Sequence, residues 1–441
     1  MAEIAPFRGL LYNEKKVGGA SRVVAPPYDV ISREEQEKLY KRSPYNVVRL
    51  ILNQEPEPYD TVARLFEEWQ RDGVLVRDEK PALYFLRQRF GLKDKQEKER
   101  LGFLAVARLE DFSSGTIRPH EGTLAAPKED RLRIMLATNA NLSPIFALYD
   151  EPKQTINRLL AEHTQGSAPH LEAKEEKNGT CRLWRITDAA LIEMARREMA
   201  EVPLLIADGH HRYEAALNYR NRMREAKVGL TGREAFNYVM MFFGNTRDEG
   251  LVILPTHRLV RSLPPMPFQQ LEEALMRYFY VEPYPKNAEG QRSFLRALQG
   301  QGKKHRVIGA SFKRDPRYLI LRLKNKRFMQ RLAGDLSAPL RELDVSVLHR
   351  LLLDHILGFK REEQVNEGAI SYSQDEEKVF QSLDKEDYAA AFILNPTKAE
   401  EIAAVALAGE TMPQKTTYFY PKLIDGLAMN KLDEEEFAAA D

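Results

Sequence analysis

A short apolar run, a charged turn and a helical pattern follow one another between residues 204 and 226, and this succession constrains the fold most strongly. Leu204–Ala207 is apolar and has the length typical of a buried strand. From Tyr213 onward, Ala215, Ala216, Leu217 and Tyr219 lie at helical spacing among polar residues. We therefore predict a strand over 204–207, a turn, and a helix over 211–226, which is a local arrangement typical of α/β proteins.

The turn reads Asp208-Gly209-His210-His211-Arg212. The first turn of a helix has unpaired N–H groups and a partial positive charge, and both favour a bound anion. Gly209 allows the backbone to approach a ligand closely, and Arg212 can bind phosphate or carboxylate through two hydrogen bonds. The alternative is that Asp208 only caps the helix, but capping gives no role to the three basic residues.

The composition is that of a globular protein, with 43% hydrophobic and 30% charged residues. A length of 441 residues predicts two or three domains. The formal net charge of +1 provides no general attraction for nucleic acid. The single cysteine, Cys181, excludes an intrachain disulfide and a cysteine metal cluster. No apolar run reaches the length of a membrane span and Met1 begins no signal-peptide pattern, so we expect a cytoplasmic protein.

The predicted elements divide the chain into three segments, and the fold class is α/β in the broad sense that includes α+β. Residues 1–262 are predicted to form a core with a mixed sheet and insertions. A proline-rich stretch, Pro264 to Pro267, marks a boundary before a smaller α/β unit over 263–335. Residues 336–441 are predicted to form a helical and β segment that packs on the core.

A second polar loop, Arg118-Pro119-His120-Glu121, precedes a predicted helix that carries Lys128 and Arg131. Glu121 is our candidate for a catalytic carboxylate, and the alternative is an ordinary solvent-exposed loop residue. The basic residues of the loop and the helix are candidates for binding the phosphates of a donor.

Candidates for binding an acceptor lie in three further places. Asn139, Asn141 and Ser143 could bind the carboxylate or ammonium of an amino acid, with helix C-capping as the alternative. Pro26-Pro27 extends the backbone before Tyr28 and Asp29, which either face a ligand or belong to a rigid surface turn. His257 and Arg258 are further candidates, because they lie at a predicted strand end, where α/β proteins commonly place ligand groups. Lys415, in a later polar loop, is another.

The nine residues Asp208–Ala216 resemble the signature box of the ParB/sulfiredoxin-like fold, which partition proteins, sulfiredoxins and free serine kinases share. The chain as a whole resembles a largely uncharacterised bacterial and archaeal family that carries this box. The other stretches that carry the family resemblance span most of the chain: Ala25–Ser32, Arg118–Glu121, Ala140–Phe146, Leu254–Leu259 and Lys415–Lys422.

The residues discriminate among the classes that share the box. Sulfiredoxins have a nucleophilic cysteine directly before His-Arg, whereas His210 occupies that place here, so sulfinic-acid repair has no nucleophile. The charge balance supports neither a DNA-binding partition protein nor a nuclease. No P-loop and no dinucleotide-binding glycine motif is present. A mononuclear zinc site using His120, His210 or His257 is a further alternative.

The resemblance implies a small-molecule kinase, with free L-serine as acceptor and ATP, ADP or pyrophosphate as donor, and with Mg²⁺ as cofactor bound by Asp208. In this interpretation His120 and His210 assist Glu121 in catalysis. The donor phosphates are bound by Gly209, His210, His211, Arg212, Arg118, Lys128 and Arg131. The alternative is a non-catalytic regulator that binds a nucleotide or phosphorylated metabolite, in the manner of the ParB-like CTP switch. We expect neither a membrane nor a nucleic acid as partner, and the residues do not predict the oligomeric state.

Overall fold

The structure is a computed structural model that describes residues 2–93, 95–359 and 368–433. The chain forms two units. The first unit comprises Met1–Pro119, Thr123–Val252 and Phe419–Asp441, and the second comprises His120–Gly122 and Ile253–Tyr418. No helix in the described ranges is both long enough and apolar enough to span a membrane.

Helices and strands alternate through most of the chain, which confirms the mixed α/β class. The described α-helices are α1 (Glu14–Val17), α2 (Arg33–Arg42), α3 (Val48–Ile51), α4 (Pro58–Arg71), α5 (Ala125–Thr138), α6 (Thr155–His163), α7 (Ala189–Ala200), α8 (His210–Ala226), α9 (Phe268–Tyr278), α10 (Ala288–Gly302), α11 (Arg327–Leu332), α12 (Ala338–Arg341), α13 (Asp344–Ser346), α14 (Glu376–Lys385) and α15 (Ala399–Leu407). Short 3-10 helices cover Ala20–Arg22, Tyr28–Val30, Phe112–Ser114 and Ala235–Asn237, and Val347–Ile356 is a π-helix.

The described strands are β1 (Ile4–Ala5), β2 (Leu10–Tyr12), β3 (Leu75–Arg77), β4 (Leu83–Gly91), β5 (Glu97–Arg108), β6 (Ile117–Arg118), β7 (Ala140–Asn141), β8 (Ile145–Tyr149), β9 (Leu171–Glu175), β10 (Gly179–Ile186), β11 (Leu204–Asp208), β12 (Tyr238–Asn245), β13 (Val252–Leu254), β14 (His257–Val260), β15 (Phe279–Pro285), β16 (Val307–Phe312), β17 (Arg317–Leu323), β18 (Ile370–Ser373), β19 (Ala390–Ile393), β20 (Tyr418–Tyr420) and β21 (Asn430–Lys431).

The first unit is built on a nine-stranded mixed sheet in the order β6-β11-β8-β12-β5-β4-β10-β9, with β1 paired to β5. The pairs β6/β11 and β8/β12 are parallel, and the other pairs are antiparallel. Every residue of β12 is buried, as expected for an apolar run with sheet neighbours on both sides. The mixed sheet predicted for this part of the chain is therefore present.

Helix α5 separates two hydrophobic cores of the first unit. Leu132 and Met135 pack in the core that contains the sheet, and Tyr213 of α8 belongs to the same core. Ile134 packs in a second core with Trp69 and other residues of the N-terminal helices. Because both faces of α5 are buried, the helix has little freedom to rotate, and its polar side chains have fixed positions.

The second unit contains a six-stranded antiparallel sheet in the order β15-β17-β16-β19-β14-β18. Its core includes Phe294, Ile320, Val379 and Ile393. This grouping differs from the three sequence-based segments, because β18 and β19 complete the sheet that β15 to β17 begin. The residues from Phe419 onward belong instead to the first unit.

Candidate functional site

The charged turn lies between a strand and a helix, as the sequence predicts. Strand β11 ends at Asp208 and helix α8 begins at His210. Gly209 joins them in the left-handed region at φ 94°, and its carbonyl accepts a hydrogen bond of 2.9 Å from Tyr213 N. A Cβ on Gly209 would lie 3.0 Å from the guanidinium of Arg212. Glycine is therefore needed here both for the backbone conformation and for the arginine.

The Asp208 carboxylate is bound by two cations within the first unit. Arg212 Nη2 donates to Oδ2 at 2.6 Å, and Lys422 Nζ donates to Oδ1. All three side chains are nearly buried. Burial alone would raise the pKa of Asp208, but the charges of Lys422, Arg212 and His210 hold it well below its ordinary value. The carboxylate is therefore ionised, and its two partners are fixed.

Lys422 is held in place through its main chain. Its N–H donates to Asn178 Oδ1 at 3.0 Å, and its carbonyl accepts from Gln88 Nε2 at 3.0 Å. The peptide bond between Tyr420 and Pro421, just before this lysine, is cis. Lys422 belongs to a stretch that the sequence singles out, but sequence reasoning assigned it no role.

Arg212 keeps part of its hydrogen-bonding capacity unused. Besides Asp208, its guanidinium donates to the carbonyl of Pro144. Its Nε is buried and has no hydrogen-bond partner among the described residues. Burial favours the neutral form, but Asp208 and the other nearby acidic groups raise the pKa of Arg212. The arginine is therefore a charged group that can still donate to an incoming anion.

A second set of polar residues, also in the first unit, includes Tyr28 and Arg131. The guanidinium carbon of Arg131 lies 3.8 Å from the centroid of the Tyr28 ring, a cation–π distance. Arg131 Nη1 also donates to Ile51 O at 2.8 Å, and Nε donates to Asp130 at 3.0 Å. Burial raises the pKa of Tyr28, and Arg131 partly offsets this rise. Asp29, the next residue, is exposed.

Asp425 is a buried acid that sequence reasoning missed. Its main chain pairs with Ala25 through two hydrogen bonds, of 2.8 and 3.2 Å. Its side chain is buried, and within the described ranges neither carboxyl oxygen meets a donor in hydrogen-bonding geometry, although the Ser143 hydroxyl lies near. Burial raises the pKa of Asp425 to about 7, against the opposing charge of Arg212. The Asp-Gly pair at 425–426 would have predicted only a turn.

The other phosphate-binding candidates in the first unit have partners within the protein. His211 Nε2 accepts from Leu124 N at 2.9 Å, at the start of α5. Lys128 Nζ forms an ion pair of 2.8 Å with Glu214. Arg118 Nε donates to Gly115 O at 2.9 Å. His210 is buried at the start of α8.

Two acceptor-binding candidates use their amide oxygens for structure. Asn139 ends α5 in the left-handed conformation, and its Oδ1 accepts from Tyr219 Oη at 2.8 Å. Asn141 Oδ1 accepts from Met240 N at 3.0 Å and from Asn430 Nδ2 at 3.2 Å. These contacts favour the capping alternative for Asn139 and a structural role for Asn141.

His120 and Glu121 belong to the second unit, where they lie beside Thr417. His120 Nε2 is 2.9 Å from Thr417 Oγ1, and this hydroxyl is 3.5 Å from Glu121 Oε1. Met412 N donates to His120 O at 2.7 Å, which fixes the loop. Glu121 is therefore a partly buried carboxylate next to a hydroxyl, rather than a fully solvated loop residue.

Arg258 and His257 are buried in the same unit. Arg258 Nη2 donates to Lys415 O at 3.1 Å, so Lys415 contributes its main chain while its side chain is exposed. Burial lowers the pKa of Arg258 to about 10, with Tyr372 and Glu121 acting in the opposite direction. His257 Nδ1 accepts from Leu394 N at 3.2 Å.

The surroundings of Asp208 do not fit a Mg²⁺ ligand. Each carboxylate oxygen already contacts a cation, and a divalent ion would be repelled by both. Among the described residues, no group of three or more His, Cys, Asp or Glu side chains could hold a metal ion. Asp208 instead fits the role of a charge that orients Arg212 and Lys422.

Residues 4–346 match the model of a family described as "Protein of unknown function (DUF1015)". A comparison with curated proteins found no significant match. Solved structures with partial similarity include a conserved hypothetical protein from Pyrococcus furiosus, at 12% identity and TM-score 0.35, covering 75% of this chain and 97% of that one. They also include a free serine kinase variant in complex with AMP, at 13% identity and TM-score 0.37, covering 75% of this chain and 93% of the kinase.

Proposed function

This chain belongs to the DUF1015 family of proteins of unknown function, and we propose that it is a small-molecule phosphotransferase whose acceptor is free L-serine. The observation that carries the proposal is the buried contact of Asp208 with Arg212 and Lys422 at the start of α8. The resemblance of residues 208–216 to the box of the free serine kinases supports the same chemistry.

Phosphoryl transfer depends mainly on positioning and on positive charge around the transferred group. Two cations share one carboxylate here, so these three groups together carry a net charge of +1 beside the N-terminal end of a helix. Arg212 Nε also has no partner among the described residues. In the proposal, Arg212, Lys422 and the Gly209 backbone bind the transferred phosphate, and Asp208 holds both cations in position.

The donor is proposed to be ATP, ADP or pyrophosphate. Mg²⁺ is also part of the proposal. It is proposed to be bound mainly by the phosphates of the donor and by water, as is usual for Mg²⁺ in sites of this kind. The residues of the box are not needed as its ligands. Arg118, Lys128 and Arg131 remain candidates for contacts with the rest of the donor.

Transfer to a hydroxyl also requires a carboxylate that accepts or orients the hydroxyl proton. Glu121 is the candidate from sequence, with His120 beside it. Tyr28, Asp29 and Ser143 are proposed to contact the acceptor.

The test is an incubation of the full chain with Mg²⁺, a panel of free amino acids and hydroxy acids, and ATP, ADP or pyrophosphate. The expected product is O-phosphoserine, detected by ³¹P NMR and mass spectrometry. Arg212→Ala is the negative control, because it removes the proposed phosphate contact. Binding of a nucleotide or a phosphorylated metabolite without transfer in any pairing would reject the kinase and favour the regulator.

A further inference from the structure

Asp425 is in the same segment as the phosphate-binding lysine. Only two residues separate it from Lys422, and all residues from Pro421 to Asn430 are buried. The main-chain bridge between Asp425 and Ala25 places it beside the start of the loop that carries Tyr28 and Asp29. One buried segment therefore supplies both the lysine that contacts Asp208 and a buried acid.

Among the described residues, no cation or backbone donor pairs with the buried carboxyl of Asp425, although the Ser143 hydroxyl lies near it. Its relative exposure is 1%, and neither oxygen has a hydrogen-bond partner within the described residues. Buried carboxyl groups in proteins are normally paired with donors, because burial without pairing is costly. Such groups concentrate at functional sites, where they accept protons or ligands.

Charged and polar groups act on Asp425 from each surrounding element. Arg212 of α8 and Arg131 of α5 favour the ionised form, and so does the hydroxyl of Ser143. Asp29 disfavours it, as does burial, which is the largest effect. Together they bring the pKa of Asp425 to about 7. A proton acceptor works best when its pKa is near the working pH.

We propose that Asp425 accepts the proton of the acceptor hydroxyl during transfer. The hydroxyl oxygen forms a bond to phosphorus, the bond from phosphorus to the leaving oxygen breaks, and the leaving group departs with that electron pair. The hydroxyl proton goes to a carboxylate oxygen of Asp425 and is returned to water after product release. This inference rests on the proposed phosphotransferase function.

Asp208 is unsuitable for this step, because its two cations keep its pKa low and its oxygens occupied. Glu121, the candidate from sequence, belongs to the second unit and lies next to Thr417. The choice between Asp425 and Glu121 can be made by comparing two isosteric variants.

The experiment compares wild type, Asp425→Asn and Glu121→Gln in the serine phosphorylation assay, with ADP and pyrophosphate affinity measured by calorimetry. Asp425→Asn is expected to lower kcat about a hundred-fold to ten-thousand-fold while the affinities stay within threefold. In wild type, kcat/KM should fall as the pH is lowered through about 7, and this fall is the acidic limb of the profile. The residual activity of Asp425→Asn should lack this limb.

Asp29→Asn provides a second measurement that needs no change at Asp425. Removing the Asp29 charge lowers the pKa of Asp425, so the acidic limb should move to lower pH. Asp29 is exposed, and its substitution is therefore compatible with folding even if Asp425→Asn is not. Because Asp29 is also a proposed acceptor contact, the pH at which the limb lies is compared, and not the rate.

Each outcome decides the inference. If wild type makes no product in any pairing, the proposed function fails and the role of Asp425 fails with it. If wild type is active but Asp425→Asn keeps its rate and acidic limb, or the limb is unmoved in Asp29→Asn, only the role of Asp425 is overturned. A large kcat loss confined to Glu121→Gln would assign the proton acceptor to Glu121.

Discussion

Lys422 donates a hydrogen bond to the carboxylate of Asp208, a residue 214 positions earlier in the chain. Arg212, in the first turn of α8, donates to the other oxygen of the same carboxylate. The contact with Lys422 therefore joins a C-terminal segment of the first unit to the strand–helix turn. Since all three groups are nearly buried, removing one of them would leave the charges of the other two less well compensated.

Lys422→Met should lower the free energy of unfolding at pH 7 by about 3 kcal/mol, because it leaves a buried charge with one partner fewer. The pKa of Asp208 is lowered in the folded protein, so its contribution to stability is present above the ordinary value of about 3.9 and is lost as pH falls. Urea unfolding of the variant and wild type should therefore give a smaller difference at pH 3 than at pH 7. Lys80→Met, at an exposed lysine, is the matched control and should change little. Equal effects of the two substitutions would contradict the prediction.

Arg212→Lys should keep a positive charge but lose most of the affinity for ADP or pyrophosphate. Lysine cannot donate to Asp208, to the carbonyl of Pro144 and to a phosphate in the planar geometry of a guanidinium. We expect about a ten-fold to hundred-fold loss of affinity, equal to the removal of one or two charge-assisted hydrogen bonds. Calorimetric titration of both ligands measures it, and unchanged affinity would remove Arg212 from the phosphate site.

Gly209→Ala should lower the affinity for ADP by more than the loss in the free energy of unfolding alone would explain. The left-handed backbone at φ 94° costs about 1–3 kcal/mol for a residue with a Cβ. The new methyl group also lies 3.0 Å from the Arg212 guanidinium, which must move away. Gly229→Ala is the control, because that glycine has φ 71° and a Cβ added to it would meet no other atom within 4 Å. If both variants bind ADP equally well, the position of Arg212 does not matter for binding.

Asp425→Asn should change the pH dependence of stability. A carboxyl whose pKa is raised to about 7 contributes stability that is fully present below its ordinary value and is lost as pH rises through about 7. Between pH 4 and pH 8, the free energy of unfolding of the variant should therefore rise relative to that of wild type by up to about 4 kcal/mol. Thermal unfolding at the two pH values tests this, and a pH-independent difference in Tm would show that Asp425 does not titrate as described.

Local features of the chain could be predicted from sequence, because they depend on neighbouring residues. The strand–turn–helix around Gly209 forms as predicted. Helix α7 begins after Asp188, whose side chain caps it by accepting from Ala190 N and Leu191 N. Ser32 caps α2 by accepting from Glu35 N at 3.2 Å, which is a contact between residues three positions apart. Hydrophobic periodicity and capping chemistry are short-range signals, and they determined these elements.

Even a local signal can be displaced by one residue. The sequence predicts a capping box from Thr397 to Glu400, but α15 begins after Lys398, and Glu401 Oε2 accepts from Lys398 N at 3.0 Å. Glu401 also pairs with Arg306 at 2.7 Å, a contact that no local pattern contains. The tertiary ion pair between Glu401 and Arg306 is consistent with a helix that begins one residue later than the local pattern indicates.

The charged turn and its basic residues were evident from sequence alone, since they are consecutive in the chain. The identity of their partners was decided only by tertiary structure. Lys422 and Asp425 are more than 200 positions from Asp208 and acquire their roles only when the sheet and the Ala25 bridge bring the segments together. Burial acts to raise the pKa of both Asp208 and Asp425, but two cations contact the first carboxylate and lower its pKa, whereas no cation among the described residues pairs with the second.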